Sequence, residues 1–181
     1  MRGLLAIFGC VLALAACSSN LQPLPTTDNS SYLLDSGDQL HIIVYNEDSL
    51  STDYLVGDNG TVSFPMVGEL KARGLTVDQF RQELYDALRK GIFVNPGISV
   101  EVSQYRPFYV VGEVSKPGQY PYAAGLNVLT AVAVAGGFTV RADTDQMTVV
   151  RTARGKSAEW SAGRLTELRP GDVVVVRERF F

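Results

Sequence analysis

The chain has 181 residues, 46% of them hydrophobic and 19% charged, a composition that excludes intrinsic disorder and fits one ordinary domain or two small ones. Its formal charge is −3 and no cluster of lysine and arginine appears, which argues against a nucleic-acid surface, where phosphates are neutralised by grouped cations. Both cysteines, Cys10 and Cys17, fall within or at the end of the first apolar run, so the rest of the chain forms no internal disulfide.

Residues 1–17 read MRGLLAIFGCVLALAAC: Arg2, an apolar run from Leu4 to Leu14, then small residues before a cysteine, the layout of a secretion signal. A transmembrane anchor needs about 20 apolar residues. Leu4 to Ala16 supplies only 13 before the polar Cys17, Ser18, Ser19 and Asn20. Leu14-Ala15-Ala16-Cys17 resembles the lipobox of bacterial lipoproteins, which implies cleavage before Cys17 and acylation of its thiol and its new amino group. An ordinary peptidase site after Ala15 or Ala16 is the rival. Several acyl chains would hold the protein on a membrane, since each buried methylene contributes roughly 0.8 kcal/mol. Ser18 after the cysteine, instead of Asp, goes with sorting to the outer membrane in such proteins.

The chain beyond the leader divides into a tether (17–31) and two units (32–104 and 105–181). Ser18 to Ser31 is polar, holds two prolines and shows no apolar period, the pattern of a flexible connection. Leu40, Ile42 and Val44 recur at a period of two, which predicts a strand over Gln39–Tyr45. Asp58-Asn59-Gly60 between Tyr54-Leu55-Val56 and Thr61–Phe64 predicts a tight hairpin that pairs those two segments. Thr76 with Gln79 makes a capping box ahead of Phe80, Leu84 and Leu88 on one helical face, with Gly91 as the stop. Asn95-Pro96-Gly97 then turns into an alternating strand over Ile98–Val102. In the second unit, strands are expected at 108–113, 119–122, 147–152, 157–161 and 173–176, with a short helix from about Val128 to Ala135 stopped by Gly136-Gly137. Each unit is a small sheet carrying one helix, so the fold class is α+β. A faint internal echo places Gly37-Asp38 and Gly171-Asp172 directly before apolar strands, the mark of a turn that launches a strand.

Catalytic groups are scarce. The one histidine, His41, sits in mid-strand as a core or sheet-surface residue. Asp143 and Asp145 could offer two oxygens to a cation, though a loop of solvated acids fits them better, and the glycine pair at 136–137 follows a helix, the wrong polarity for a phosphate loop. No cofactor, metal or enzymatic activity is therefore expected. Tyr105, Phe108, Tyr109, Tyr120 and Tyr122 lie close in sequence and divide between core packing and a sugar-stacking surface. Phe180-Phe181 leaves two aromatics at the end of the sequence, suited to a partner or a lipid surface.

These residues also carry a family resemblance. Tyr32, Leu34, Gly37-Asp38, Leu40, Ile42 and Val44, then Asp58, Gly60-Thr61-Val62, Phe64-Pro65, Val67-Gly68, Gly74-Leu75-Thr76 and Asn95-Pro96, resemble the polysaccharide biosynthesis/export domain of outer-membrane polysaccharide export proteins. Val110-Val111-Gly112-Glu113-Val114, Pro117-Gly118, Ala131, Ala135-Gly136-Gly137-Phe138 and Pro170-Gly171-Asp172-Val173-Val174 resemble the soluble-ligand-binding β-grasp (SLBB) domain that follows it in that family. The resemblance implies a non-enzymatic outer-membrane lipoprotein, facing the periplasm and forming a homo-oligomeric ring, that guides capsular or exopolysaccharide outward with an inner-membrane copolymerase. Only five residues follow Val176, against the roughly 20 of a spanning helix, so the chain is similar to the short class that docks onto a separate outer-membrane barrel. Two units of modest core also favour assembly on physical grounds. The motifs are folding motifs and assign no polymer-contacting residue. A periplasmic lipoprotein binding a small ligand or sugar through its SLBB domain is the second reading, and an enzyme acting on polysaccharide the third.

Overall fold

The computed structural model describes residues 21–25, 32–90, 93–153 and 155–179. The leader, Cys17, Gly91, Arg154 and Phe180-Phe181 lie outside the described residues, and with them the expected cleavage and acylation, the glycine helix stop and the aromatic end.

The first unit is built on β1 (Gln39–Val44), whose alternation sends Leu40, Ile42 and Val44 into the core and leaves His41 and Ile43 outside. β1 lies between β2 (Thr52–Leu55) and β5 (Ile98–Gln104), antiparallel to both. Helix α1 (Val77–Arg89) begins as its sequence dictates: the Thr76 hydroxyl accepts from the Gln79 amide at 3.2 Å, and the Gln79 side chain accepts from the Thr76 amide at 2.9 Å. Phe80, Leu84 and Leu88 are wholly buried in one cluster with Leu40, Ile42 and Val100. The helix ends at Arg89.

The expected hairpin across Asn59-Gly60 is corrected by the structure. The turn itself forms, with Gly60 at φ +81° and its amide donating to the Gly57 carbonyl. Its flanks do not pair with each other. Tyr54 faces Leu40 across the β1 ladder, while β3 (Thr61–Phe64) pairs with β4 (Gly68–Lys71) around Pro65–Val67. One edge of β1 was open to the Thr52–Leu55 segment, and by leaving that plane β3 brings Val62 and Phe64 into the core, where the Phe64 ring stacks on Tyr54 at 4.9 Å.

The second unit is a five-stranded sheet in the order β7 (Gly118–Tyr120), β6 (Phe108–Gly112), β10 (Val173–Val176), β8 (Met147–Ala153), β9 (Lys156–Ala162). β6 and β10 run parallel and the other neighbours antiparallel, a pairing the turn signals did not reveal. Helix α2 (Val128–Val134) is capped by the Asn127 side chain and buries Val128, Ala131 and Val132; Gly136 and Gly137 follow it at positive φ. Gly112 is obligatory here. At φ +90°, a Cβ on it would lie 2.0 Å from the Val176 carbonyl oxygen.

Part of the stretch expected to be a free tether is held. Residues 21–25 run beside β9, with Ser161 N donating to the Gln22 carbonyl at 2.9 Å, Leu24 N donating to the Ser161 carbonyl at 2.8 Å, and Leu24 buried in the second core. Two prolines and a polar composition hid a single leucine whose burial outweighs the loss of chain freedom.

Candidate functional site

The echo of Gly37-Asp38 and Gly171-Asp172 is structural and runs through both units. Each glycine takes a positive φ, and each aspartate turns back to accept from the amide three residues before it, Asp35 N to Asp38 and Arg169 N to Asp172. Both carboxylates are buried and each meets an arginine. Arg151 grips Asp172 through two nitrogens, at 2.9 and 2.7 Å. Arg106 reaches Asp38 at 3.2 Å, and its backbone amide donates to the same carboxylate at 3.0 Å. Arg106 also threads past the other turn: a Cβ on Gly171 would fall 2.7 Å from its Nε, and one on Gly37 would touch its Cβ at 3.4 Å. The two turns are thus strand-launching devices, as expected, and in addition the jaws around one guanidinium.

That joint floors a cleft of about 1290 Å³ between the units. A row of three tyrosines crosses it. Tyr105 meets Tyr32 edge-on at 5.1 Å and Tyr122 edge-on at 5.5 Å. The Tyr32 hydroxyl donates to Asp38 and accepts from Arg106 at 2.6 Å, and the Arg106 guanidinium also lies 5.6 Å from the Tyr32 ring centre. The Tyr122 hydroxyl donates to the Leu168 carbonyl at 3.1 Å. Burial is the main reason the Tyr32 phenol is pushed far above its ordinary range, with Arg106 opposing and Asp38 reinforcing. Burial likewise raises Tyr122, helped by Tyr105, Asp172 and Glu167. Both phenols stay neutral at physiological pH. Arg73, bonded to Asp35 at 2.9 Å and to the Asp58 carbonyl at 2.7 Å, borders the opening on the first unit. Arg169 borders it on the second, its guanidinium shifted downward by burial and by the like charge of Arg151.

The aromatic group expected from the sequence is therefore divided. Phe108 is core, and Tyr120 packs on it at 5.8 Å. Tyr109 lies on the exposed side of β6, while Tyr105 and Tyr122 enter the cleft. Tyr32 completes the row and was missed as a site residue, because Tyr105 and Arg106, which place it there, come from more than seventy positions away. His41 is on the exposed face of β1, its Nδ1 2.8 Å from Asp53 with both side chains nearly half exposed, far from the conditions that make a charge pair strong. Asp143 accepts from the amides of Asp145 and Gln146, closing its own loop, and Asp145 approaches Arg164 at 3.6 Å. Among the described residues no group of three histidine, cysteine or acidic side chains is placed to hold a metal ion, and no helix is long and apolar enough to cross a membrane.

What the cleft offers is surface chemistry: aromatic edges and faces, neutral hydroxyls, and guanidinium groups fixed by buried or bordering carboxylates. Such a mixture suits an extended polar ligand with apolar ring faces. Two sheet-plus-helix units in series, the second β-grasp-like, define an α+β class that matches known families. The model for polysaccharide biosynthesis/export proteins matches residues 26–103, and that for the SLBB domain matches residues 107–160. The chain belongs to the polysaccharide export family. It is similar to the exopolysaccharide production protein ExoF of Rhizobium meliloti (strain 1021), 46% identical over 100 residues that make up 54% of this chain and 24% of the relative. It is also similar to the EPS I polysaccharide export outer membrane protein EpsA of Ralstonia solanacearum, 31% identical over 140 residues, 70% of this chain and 36% of the relative. The chain thus spans a quarter to about a third of the length of these relatives.

Proposed function

We propose that the protein is a non-catalytic component of an envelope apparatus that exports capsular or exopolysaccharide, held in the outer membrane by acylated Cys17 and facing the periplasm. Its units 32–104 and 105–181 cradle a stretch of polymer in the cleft between them. The observation that carries this reading is the tyrosine row Tyr32–Tyr105–Tyr122, set among arginines whose charges are already balanced by fixed carboxylates. A sugar chain packs its C–H faces on aromatic rings and takes hydrogen bonds from guanidinium groups, and balanced charge lets it slide without being trapped. The names of the relatives, one in exopolysaccharide production and one in export at the outer membrane, support the same role. In this reading further copies form a ring, a separate outer-membrane barrel provides the pore, and an inner-membrane copolymerase delivers the polymer.

The test is genetic and quantitative. Deleting the gene should reduce the amount or size of surface and secreted polysaccharide. The wild-type gene should restore it, and a Tyr105→Ala copy expressed at the same level should restore it only in part. Polysaccharide unchanged in both amount and size in the deletion strain would end the proposal.

A further inference from the structure

Residues 21–25 take the place of an added strand on β9, which is otherwise the edge of the five-stranded sheet. Pro23 sits opposite Ser161, and the two hydrogen bonds of this parallel contact use Gln22 and Leu24, so the missing proline N–H costs nothing. Leu24, only 6% exposed, joins the core that contains Met147, Val149 and Ala162. The leash from Cys17 is thereby cut short. Gln22 is five positions from Cys17, a reach of at most about 18 Å, whereas an undocked chain from Cys17 to Tyr32 could extend about 50 Å.

We infer that the β9 edge of the second unit is the side of the protein held against the lipid surface, and that β7, the opposite edge of the same sheet, lies away from it. The inference rests on the reading of Cys17 as the acylated residue. The surface beside the anchor is suited to headgroups: Lys156, Ser157, Ala158 and Glu159 are exposed and Trp160 is half-buried. Leu165, 77% exposed, follows just beyond the strand, beside exposed Leu129, whose amide bonds Arg164. A membrane takes up small polar groups, an amphipathic indole and a few projecting leucines at its interface.

The acylated full-length protein is purified with a fluorophore on Ala158→Cys in β9 or on Gln119→Cys in β7, exposed positions on opposite edges of the sheet, and bound to phosphatidylethanolamine/phosphatidylglycerol vesicles carrying a headgroup quencher. Quenching several-fold stronger at 158 than at 119 is expected. Leu24→Asp, which ejects the docked leucine, should bring the two positions toward equality, as should a flexible insertion of about ten residues between Gln22 and Cys17 that leaves the fold untouched. Equal quenching in the parent protein, or stronger quenching at 119, while the protein floats with the vesicles overturns the inference and leaves the anchor standing. A protein that fails to float, with a mass showing unmodified Cys17, overturns the anchor and this inference together.

Discussion

Replacing Arg106 with alanine removes the guanidinium that lies between the two Gly-Asp turns, and the structure sets the size of the effect. Asp38 is fully buried and would lose its charged partner, a change that typically costs about 3–5 kcal/mol. The contact it loses is long, at 3.2 Å, and it keeps the Tyr32 hydroxyl and the amides of Asp35 and residue 106, so the low end, about 3 kcal/mol, is expected. With a urea dependence of about 2 kcal/mol per molar, the midpoint of the first unit should fall by about 1.5 M. The sole tryptophan, Trp160, reports on the second unit, while far-ultraviolet circular dichroism reports on both. The dichroism transition should therefore move further than the fluorescence transition. Arg73→Ala is the control, since its side chain is 48% exposed and its pair with Asp35 is worth about 0–1 kcal/mol. A loss below about 1 kcal/mol for Arg106→Ala, or an equal loss for Arg73→Ala, would refute the account of Arg106 as a buried latch.

Three further outcomes are expected. Phe80→Ala should cost about 3–5 kcal/mol in urea unfolding, because the ring is wholly enclosed between α1 and the sheet. Gly112→Ala should abolish native Trp160 fluorescence through collision with the Val176 carbonyl, whereas Gly125→Ala, at φ +80° with open space around it, should cost only about 1–2 kcal/mol. Alkaline stability should fall from pH 10 upward: burial raises the folded Tyr32 and Tyr122 phenols above their unfolded value of 10.0, so the folded state holds protons that the unfolded chain has released. Phenolate absorbance should then rise together with unfolding, and Tyr32→Phe should move the onset to higher pH.

The regular elements were largely legible in the sequence because their causes are local. The Thr76/Gln79 capping box, the four-residue spacing of Phe80, Leu84 and Leu88, the alternation of Leu40, Ile42 and Val44 and the glycine pair after α2 each act within a few residues. The pairing of strands was less so. Asn59-Gly60 does make its turn, but which strand lies beside Thr52–Leu55 depends on an edge of β1 that no local pattern describes. β4 escaped notice because its side chains are mostly exposed, and the parallel contact of β6 with β10 joins segments some sixty positions apart. The cleft follows the same rule. Tyr105 and Tyr122 stood out by proximity, Tyr32 did not, and the two Gly-Asp turns were visible as turns while the arginines that close on them were not.

The position of β10 governs the order in which the molecule can be finished. As the middle strand of its sheet it hydrogen-bonds β6 on one side and β8 on the other, yet of the five strands it is the last to be synthesised. Until it arrives, β6 and β8 have no common partner and the valines that flank it stay wet. The first unit, whose buried core residues run from Leu34 to Val100, can fold while the second waits. Leu24, emerging first, cannot dock until β9 has its neighbours, so the N-terminal contact is made late. Such distant pairings make closure slow and leave unpaired strand edges open to other chains in the interval. In that interval the incomplete second unit is the form most open to capture by a holding chaperone.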